Sequence, residues 1–311
     1  MVDALSAYPP YIYYEQLLVL SQHSAVVSVR FQENNMSAAL HLGPLVVPGE
    51  LVIQILAVVA GMLLATYLGL KSARELEPIA WRILLIGFVS SRLIFVLRYH
   101  EAYFASPLTI FDFRDGGWNA PFGYFAAWVY GVWIMRSRPI LRRALLSGLG
   151  IATFIWMAGT LLTSLPDSEV VRLKSEPVAR VDGKQITLNE FQGMPTVVNL
   201  WATWCPPCRR EMPAFEQAQN AHPEVNFVFL NQGESASLVQ EFLEANKLKL
   251  HHVLLDSKGQ VGGQFSRGML PTTIFFDAKG RLVDIRLGEL SYPSLLQRLE
   301  MIEAISASPS E

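Results

Sequence analysis

From Gly49 to Leu165 four apolar stretches follow one another, each long enough, or nearly so, to cross about 30 Å of hydrocarbon. They run over Gly49–Leu70, Ile79–Arg98, Pro121–Met135 and Ala144–Leu165. The third is short and aromatic (FGYFAAWVYGVWIM). One such run fits a buried helix of a soluble protein, whereas four in succession point to a membrane. Residues 166 to 311 read differently, with polar and apolar positions interleaved as in a globular domain. A chain of 311 residues has room for both parts.

The short loops set the expected orientation. RSRPILRR, between the third and fourth stretches, carries Arg136, Arg138, Arg142 and Arg143. Lys71, Arg74 and Arg82 mark the first connection, whereas HEAYFASPLTIFDFRDGGW offers only Arg114 beyond the helix-end Arg98. The excess of positive charge places the first and third connections in the cytoplasm. Four crossings then leave both termini outside. The expected setting is a bacterial inner (cytoplasmic) membrane, spanned several times, with the C-terminal domain in the periplasm.

Residues 1–48 form an N-terminal extracytoplasmic segment in this reading. MVDALSAYPPYIYY lacks the basic start and adjacent apolar core of a signal peptide. MSAALHLGPLVVPGEL begins at Met36 and runs straight into the first crossing, so Met36 is the expected start and 1–35 a mis-assigned extension. Residues 49–165 form the four-helix transmembrane domain, 166–177 a polar linker, and 178–311 the extracytoplasmic domain. A net charge of −2 leaves no basic excess to neutralise phosphates, which excludes nucleic acid as a partner.

In the C-terminal part, ARVDGKQITL reads as a hairpin turned at Asp182-Gly183, and PTVVNLWA as a buried strand. RREMPAFEQAQNAH follows as a helix, VNFVFLN as a second buried strand, SASLVQEFLEAN as a helix and HHVLLD as a short strand. TTIFFDAKGRLVDIRLG is a hairpin turned at Asp277–Gly280, and SYPSLLQRLEMIEAI closes as a helix. This order predicts an α/β domain with a central mixed sheet flanked by helices.

Both cysteines of the chain stand in 201-WATWCPPCRRE-211, between the buried strand and its helix. A cysteine at a helix start is placed to become a thiolate, because unpaired N–H groups and the helix dipole favour negative charge there. Arg209 and Arg210 add positive potential. The expected site is a redox-active disulfide, with Cys205 the exposed nucleophile and Cys208 the resolving partner. Two thiols supply only half of a tetrathiolate zinc site, and His251 and His252, adjacent on a strand, face opposite ways. No metal and no cofactor are expected. In 268-GMLPTTIFFD-277, Pro271 opens a strand after a turn, and a cis bond there turns the Leu270 backbone toward the cysteines. Trp204, Leu270 and Pro271 are the expected substrate-binding residues.

WATWCPPCRRE followed by LPTTIFFDAKG resembles the thioredoxin fold, and within it the TlpA/ResA-like membrane-tethered thiol–disulfide oxidoreductases. The resemblance covers about Arg180 to Ile302. Cytosolic thioredoxins carry a buried Asp in DFWA, whereas this chain has Asn199 in NLWA, as TlpA-like members do. Asn199 is therefore no proton acceptor. The resemblance implies that Glu211, in CxxCxxE, tunes the thiol pair, and its spacing puts it on the helix face of Cys208. Glu234 in NQGES also matches a family position and is a further candidate for tuning.

HLGPLVVPGEL and RLIFVLRYHEAYFASPLTIFDFRDGGW resemble the start of prolipoprotein diacylglyceryl transferase, over residues 41–123. The resemblance breaks after Gly116-Gly117: Pro121 stands where that family has a histidine, and the later Gly-Arg-x-Gly-Asn segment is absent. It implies a truncated relative that has lost transfer activity, with retained diacylglyceryl transfer in the membrane half as the lesser alternative. Arg92, a charge within the second stretch, either has a function, snorkels outward or is a relic.

The activity expected from the resemblance is reduction of protein disulfides in periplasmic substrates. The membrane half has no cysteine to relay electrons, so a separate membrane thiol reductase is expected as donor, with the lipid bilayer as the third partner. A disulfide oxidase or isomerase can use the same site. A membrane scaffold or thiol-dependent chaperone is an alternative of another class, and only an exchange enzyme traps mixed disulfides when Cys208 is lost. Cytochrome c maturation, metal-site thiols and rescue of oxidised proteins stay open as destinations.

Overall fold

A computed structural model of the protein describes residues 39–42, 45–69, 73–104, 107–112, 115–164, 171–173, 175–266 and 268–307. The expected start at Met36 lies outside them. The described residues fall into two compact units, one within 31–168 and one within 169–311.

The first unit opens with a two-stranded antiparallel ribbon, β1 (Ala39–Leu42) and β2 (Leu45–Pro48). Then come α1 (Gly49–Leu68), α2 (Ala73–Arg98), the short α3 (His100–Phe104), α4 (Ala120–Ser137) and α5 (Arg142–Ser164). Among the described residues three segments are long and apolar enough to cross a membrane: Gly49–Leu68, Arg74–Arg98 and Pro139–Thr163. The third expected crossing forms α4, a helix of 18 residues that does not reach that mark, because its aromatic, glycine and terminal Arg136-Ser137 positions dilute its apolar character.

Small residues let these helices meet closely. A Cβ added to Gly61 on α1 would lie 2.6 Å from the Gly148 carbonyl oxygen on α5. One added to Gly123 on α4 would lie 2.8 Å from the Gly87 oxygen on α2. Backbones approach this far only where no side chain intervenes. At one end of the unit Arg138 donates to Glu75 at 3.1 Å, joining the first and third connections on the same side.

The second unit is a seven-stranded mixed sheet in the order β4-β3-β7-β6-β5-β8-β9. Its strands are β3 (Pro177–Arg180), β4 (Gln185–Thr187), β5 (Thr196–Trp201), β6 (Asn226–Gln232), β7 (His252–Asp256), β8 (Thr272–Phe276) and β9 (Leu282–Leu287). The β5–β6 and β6–β7 pairs are parallel and the others antiparallel. Both expected hairpins form, β3–β4 through Asp182-Gly183 and β8–β9 through Asp277–Gly280. Gly280 takes φ +72, and the Asp277 carboxylate accepts the Lys279 and Arg281 amides inside that turn.

Every residue of β5 is buried, as its β-branched run TVVNLW implies for a strand covered on both faces. Helices α6 (Pro206–Ala221), α7 (Ala236–Ala245), α8 (Gln260–Ser266) and α9 (Tyr292–Ala307) complete the unit. Phe215 of α6, Phe229 of β6, Phe275 of β8 and Leu295, Leu299 and Ile302 of α9 share one core with both cysteines. Helix α8 was not expected, since QVGGQFS has no helical pattern. The Asp256 carboxylate starts it by accepting the Gln260, Val261 and Gly262 amides.

Candidate redox site

Helix α6 begins at the cysteines for a reason that can be counted. An α-helix leaves its first four N–H groups without intrahelical partners. Pro206 and Pro207 occupy the first two positions and have no N–H. The Cys208 amide donates to Cys205 Sγ at 3.3 Å, and the Arg209 amide to the Cys205 carbonyl at 3.1 Å. Cys205 is thus the N-cap, and its sulfur receives a single backbone donor.

The two cysteines form a disulfide with Cα atoms 5.3 Å apart. Cys208 is fully buried, and Cys205 is not the exposed residue expected from sequence: it is 2% exposed. It sits in the apolar core against which Leu270 packs, and that cover is invisible in the motif. One of the two arginines expected to add positive potential is paired with an acid. Arg210 is paired with Glu289 at 2.5 Å, and Arg209 lies over the Phe242 ring, 5.7 Å from its centroid.

The Leu270–Pro271 bond is cis. Pro271 is buried, Leu270 half-buried, and Trp204 36% exposed beside the first cysteine. The Pro271 carbonyl accepts the Gly288 amide at 2.9 Å, which ties this turn to the loop after β9. Apolar surface therefore flanks the disulfide on two sides.

Glu211 follows Cys208 by one turn of α6 and is buried as well. It is 1% exposed, and each of its carboxyl oxygens has one donor: Asn199 Nδ2 on Oε1 at 2.8 Å and the Leu290 amide on Oε2 at 3.0 Å. Burial pushes its carboxyl up to about 8, and the neighbouring Glu289 carboxylate adds to the rise. The two hydrogen bonds and the Arg210 charge oppose it without reversing it. A carboxyl balanced near neutral pH, one helical turn beyond Cys208, can take up or return a thiol proton.

Glu234 is buried and holds the approach to the motif. Its carboxylate accepts the Thr203 amide at 2.7 Å, the Thr203 hydroxyl, and Asn231 Nδ2 at 2.6 Å. It ties the end of β6 to the residue just before Trp204. The partners of Glu211 and Glu234 on β5, β6 and the loop after β9 were not foreseen. The one available signal was an Asn next to the apolar run of each of two strands, Asn199 in β5 and Asn231 in β6.

Two other clusters lie apart from the disulfide. At the far end of α6, His222, Glu224 and Glu303 bring possible metal-ligand atoms within 4.8 Å of one another. In the first unit Arg92 neither snorkels nor stands idle. It is 5% exposed, pairs with Asp115 at 3.0 Å, and donates to the carbonyls of Ile110, Asp112 and Gly117. The rings of Phe95, Tyr103 and Trp118 surround the guanidinium. Arg92 gathers residues 109–112 and 115–118 around its guanidinium.

Residues 163–298 match the Redoxin family. The chain is 29% identical over 125 residues to sporulation thiol-disulfide oxidoreductase A of Bacillus subtilis, covering 39% of this chain and 74% of that protein. It is 32% identical over 127 residues to the thiol-disulfide oxidoreductase ResA of Bacillus cereus, covering 40% of this chain and 73% of that protein. Among solved structures it is similar to the crystal structure of StoA from Bacillus subtilis, with 28% identity, TM-score 0.34, and coverage of 42% of this chain and 95% of that one. The disulfide of α6 thus stands in a domain whose relatives exchange thiols and disulfides, and through that domain the chain belongs to the ResA-like thiol-disulfide oxidoreductases.

Proposed function

We propose that this chain is a membrane-anchored reductase of protein disulfides, working on the periplasmic side of a bacterial inner membrane. The observation that carries the direction is the burial of both cysteines with so little to stabilise a thiolate. The Cys205 sulfur has one backbone donor, Arg210 is neutralised by Glu289, and the surroundings are apolar. Apolar burial raises a thiol pKa, whereas the strongest oxidants of this fold owe their potential to a stabilised reduced form. A dithiol of this kind gives up its electrons readily.

In the reaction, the Cys205 thiolate attacks a substrate disulfide held against Trp204 and the Leu270–Pro271 turn. One substrate thiolate leaves and is protonated. Cys208 loses its proton to Glu211 and attacks Cys205 Sγ, which releases the second substrate thiol. Two electrons and two protons pass to the substrate, and a separate membrane thiol reductase returns them to the cysteines. The apolar outward faces of α1, α2 and α5, with Leu63, Leu85 and Leu161 each more than half exposed, support the bilayer as the anchor.

The test is the reduction potential of the full-length protein in detergent, equilibrated against glutathione or dithiothreitol. A value below about −220 mV is expected. A value near −120 mV would make the protein an oxidant and end the reductase assignment.

A further inference from the structure

Asn199 is 1% exposed, in the middle of β5. Its Nδ2 reaches Glu211 Oε1 at 2.8 Å and Thr273 Oγ1, on the neighbouring β8, at 3.2 Å. Its Oδ1 is buried and has no hydrogen-bond partner among the described residues. Both contacts lie on one edge of the amide, and nothing holds the other edge. A buried amide that serves as a fixed strut has its polar atoms satisfied on both sides. The orientation of this one is set by Glu211 and Thr273 alone.

A carboxamide presents N–H on one edge and C=O on the other, with nearly the same shape. Turned over, Asn199 offers Oδ1 to Glu211 and Thr273. The hydroxyl can donate by rotating, and Glu211 can donate once it is protonated. No hydrogen bond on the far edge, where Oδ1 lies, holds the present orientation. The charged carboxylate needs a donor and the neutral acid needs an acceptor, and the same side chain supplies each.

We propose that Asn199 is a positioning residue for disulfide exchange, its carboxamide turning over to hold Glu211 in both charged and neutral forms as that carboxyl takes and returns the Cys208 proton. The inference rests on the reading of Glu211 as the base for Cys208. In the step it serves, the Cys208 S–H bond breaks and its proton moves to a Glu211 oxygen. The sulfur's electron pair forms the bond to Cys205 Sγ, the bond from Cys205 to substrate breaks, and the substrate thiolate leaves and takes up a proton. Charged groups act on Glu211 from two places, Arg210 on α6 and Glu289 on the loop after β9, and Cys208 precedes it by one turn of α6. From β8 comes the uncharged Thr273. Arg210 and Glu289 pair with each other, which leaves Asn199 as the partner able to follow the proton. An Asp at this position would set a second carboxylate against the first.

The experiment uses the reduced full-length protein in detergent with the chromogenic disulfide 5,5′-dithiobis(2-nitrobenzoate). Release of the second thiol equivalent reports the attack by Cys208, and its rate is followed against pH. Asn199→Leu removes the amide at similar volume, and the inflection is expected to move up by about one unit or more, since the charged carboxylate loses a donor. Thr273→Val is expected to move it the same way by less, and it answers the question if Asn199→Leu fails to accumulate. The turning-over has its own readout in infrared difference spectra of the protein below and above that inflection. The C=O band of protonated Glu211, assigned by its loss in Glu211→Gln, is expected at higher frequency in Asn199→Leu and in Thr273→Val. An unmoved inflection, or a moved inflection with an unmoved band, overturns the proposal for Asn199. If Glu211→Gln itself keeps the wild-type profile, the reading of Glu211 as the base fails instead.

Discussion

A carboxyl held near 8 in the folded chain and near its ordinary value of 4.5 in the unfolded one ties folding to pH with a definite sign. Between those values the folded state binds the Glu211 proton and the unfolded state has lost it. The folded state therefore loses stability as pH rises through this window, by up to about 1.4 kcal/mol per unit. Above the folded value the loss is complete and flat. Glu211→Gln removes this dependence, so in denaturant titrations the variant is expected to gain on the wild type from pH 5 to pH 8. Parallel curves would show that Glu211 is charged throughout. The i, i+3 spacing after Cys208 made Glu211 legible as a site residue. Its two donors were not legible, because Asn199 and Leu290 lie 12 and 79 residues away in sequence and meet it only through the packing of α6 on β5 and on the loop after β9.

At the scale of elements, the alternation of strands and helices fixed most of the second unit, because buried β-branched runs and Gly-containing turns have local signatures. The seam that holds the WCPPC turn has none. Glu234→Ala leaves the Thr203 amide and the Asn231 side chain without an acceptor, and a buried unmet group costs about 1–3 kcal/mol. Denaturation midpoints are expected to fall by an amount of that order, with the exchange rate falling too as Trp204 and Cys205 lose their fixed approach. A variant as stable and as fast as the wild type would make Glu234 an incidental carboxylate. In the first unit hydropathy found the helices but not their partners. Those were set by glycines that look unremarkable in the sequence. A Cβ on Gly148 would lie 2.8 Å from the Gly61 oxygen and 2.8 Å from Ala65 Cβ, so Gly148→Val must push α1 and α5 apart. The expected loss is roughly 1–3 kcal/mol, read as a lower unfolding temperature in detergent, and Gly150→Val, where nothing lies within 4 Å, serves as the control. Equal losses in the two variants would show that close approach is not what joins these helices.

Over the whole molecule, the proposed function depends on which side of the membrane the redox unit meets. The ion pair between Arg138 and Glu75 brings the first and third connections to one end of the first unit, as an alternating path requires. Those connections carry the arginines that the positive-inside rule assigns to the cytoplasm, and the proposed reductase needs its redox unit on the other side. Cys205 and Cys208 are the only cysteines in the chain, so a Cys205→Ala/Cys208→Ala background is free of thiols and any thiol added to it reports its own location. Ser137 and Lys258 are both exposed, one at the arginine-rich connection and one in the redox unit. In intact cells with a permeable outer membrane, Lys258→Cys is expected to react at once with a membrane-impermeant maleimide. Ser137→Cys is expected to react only after the inner membrane is opened. The opposite pattern would place the redox site in the cytoplasm, where thiols are kept reduced, and would remove the need for an anchored reductase. Labelling of both sites from outside would mean that α5, the one long helix between them, does not cross and that the path of the chain has one passage fewer.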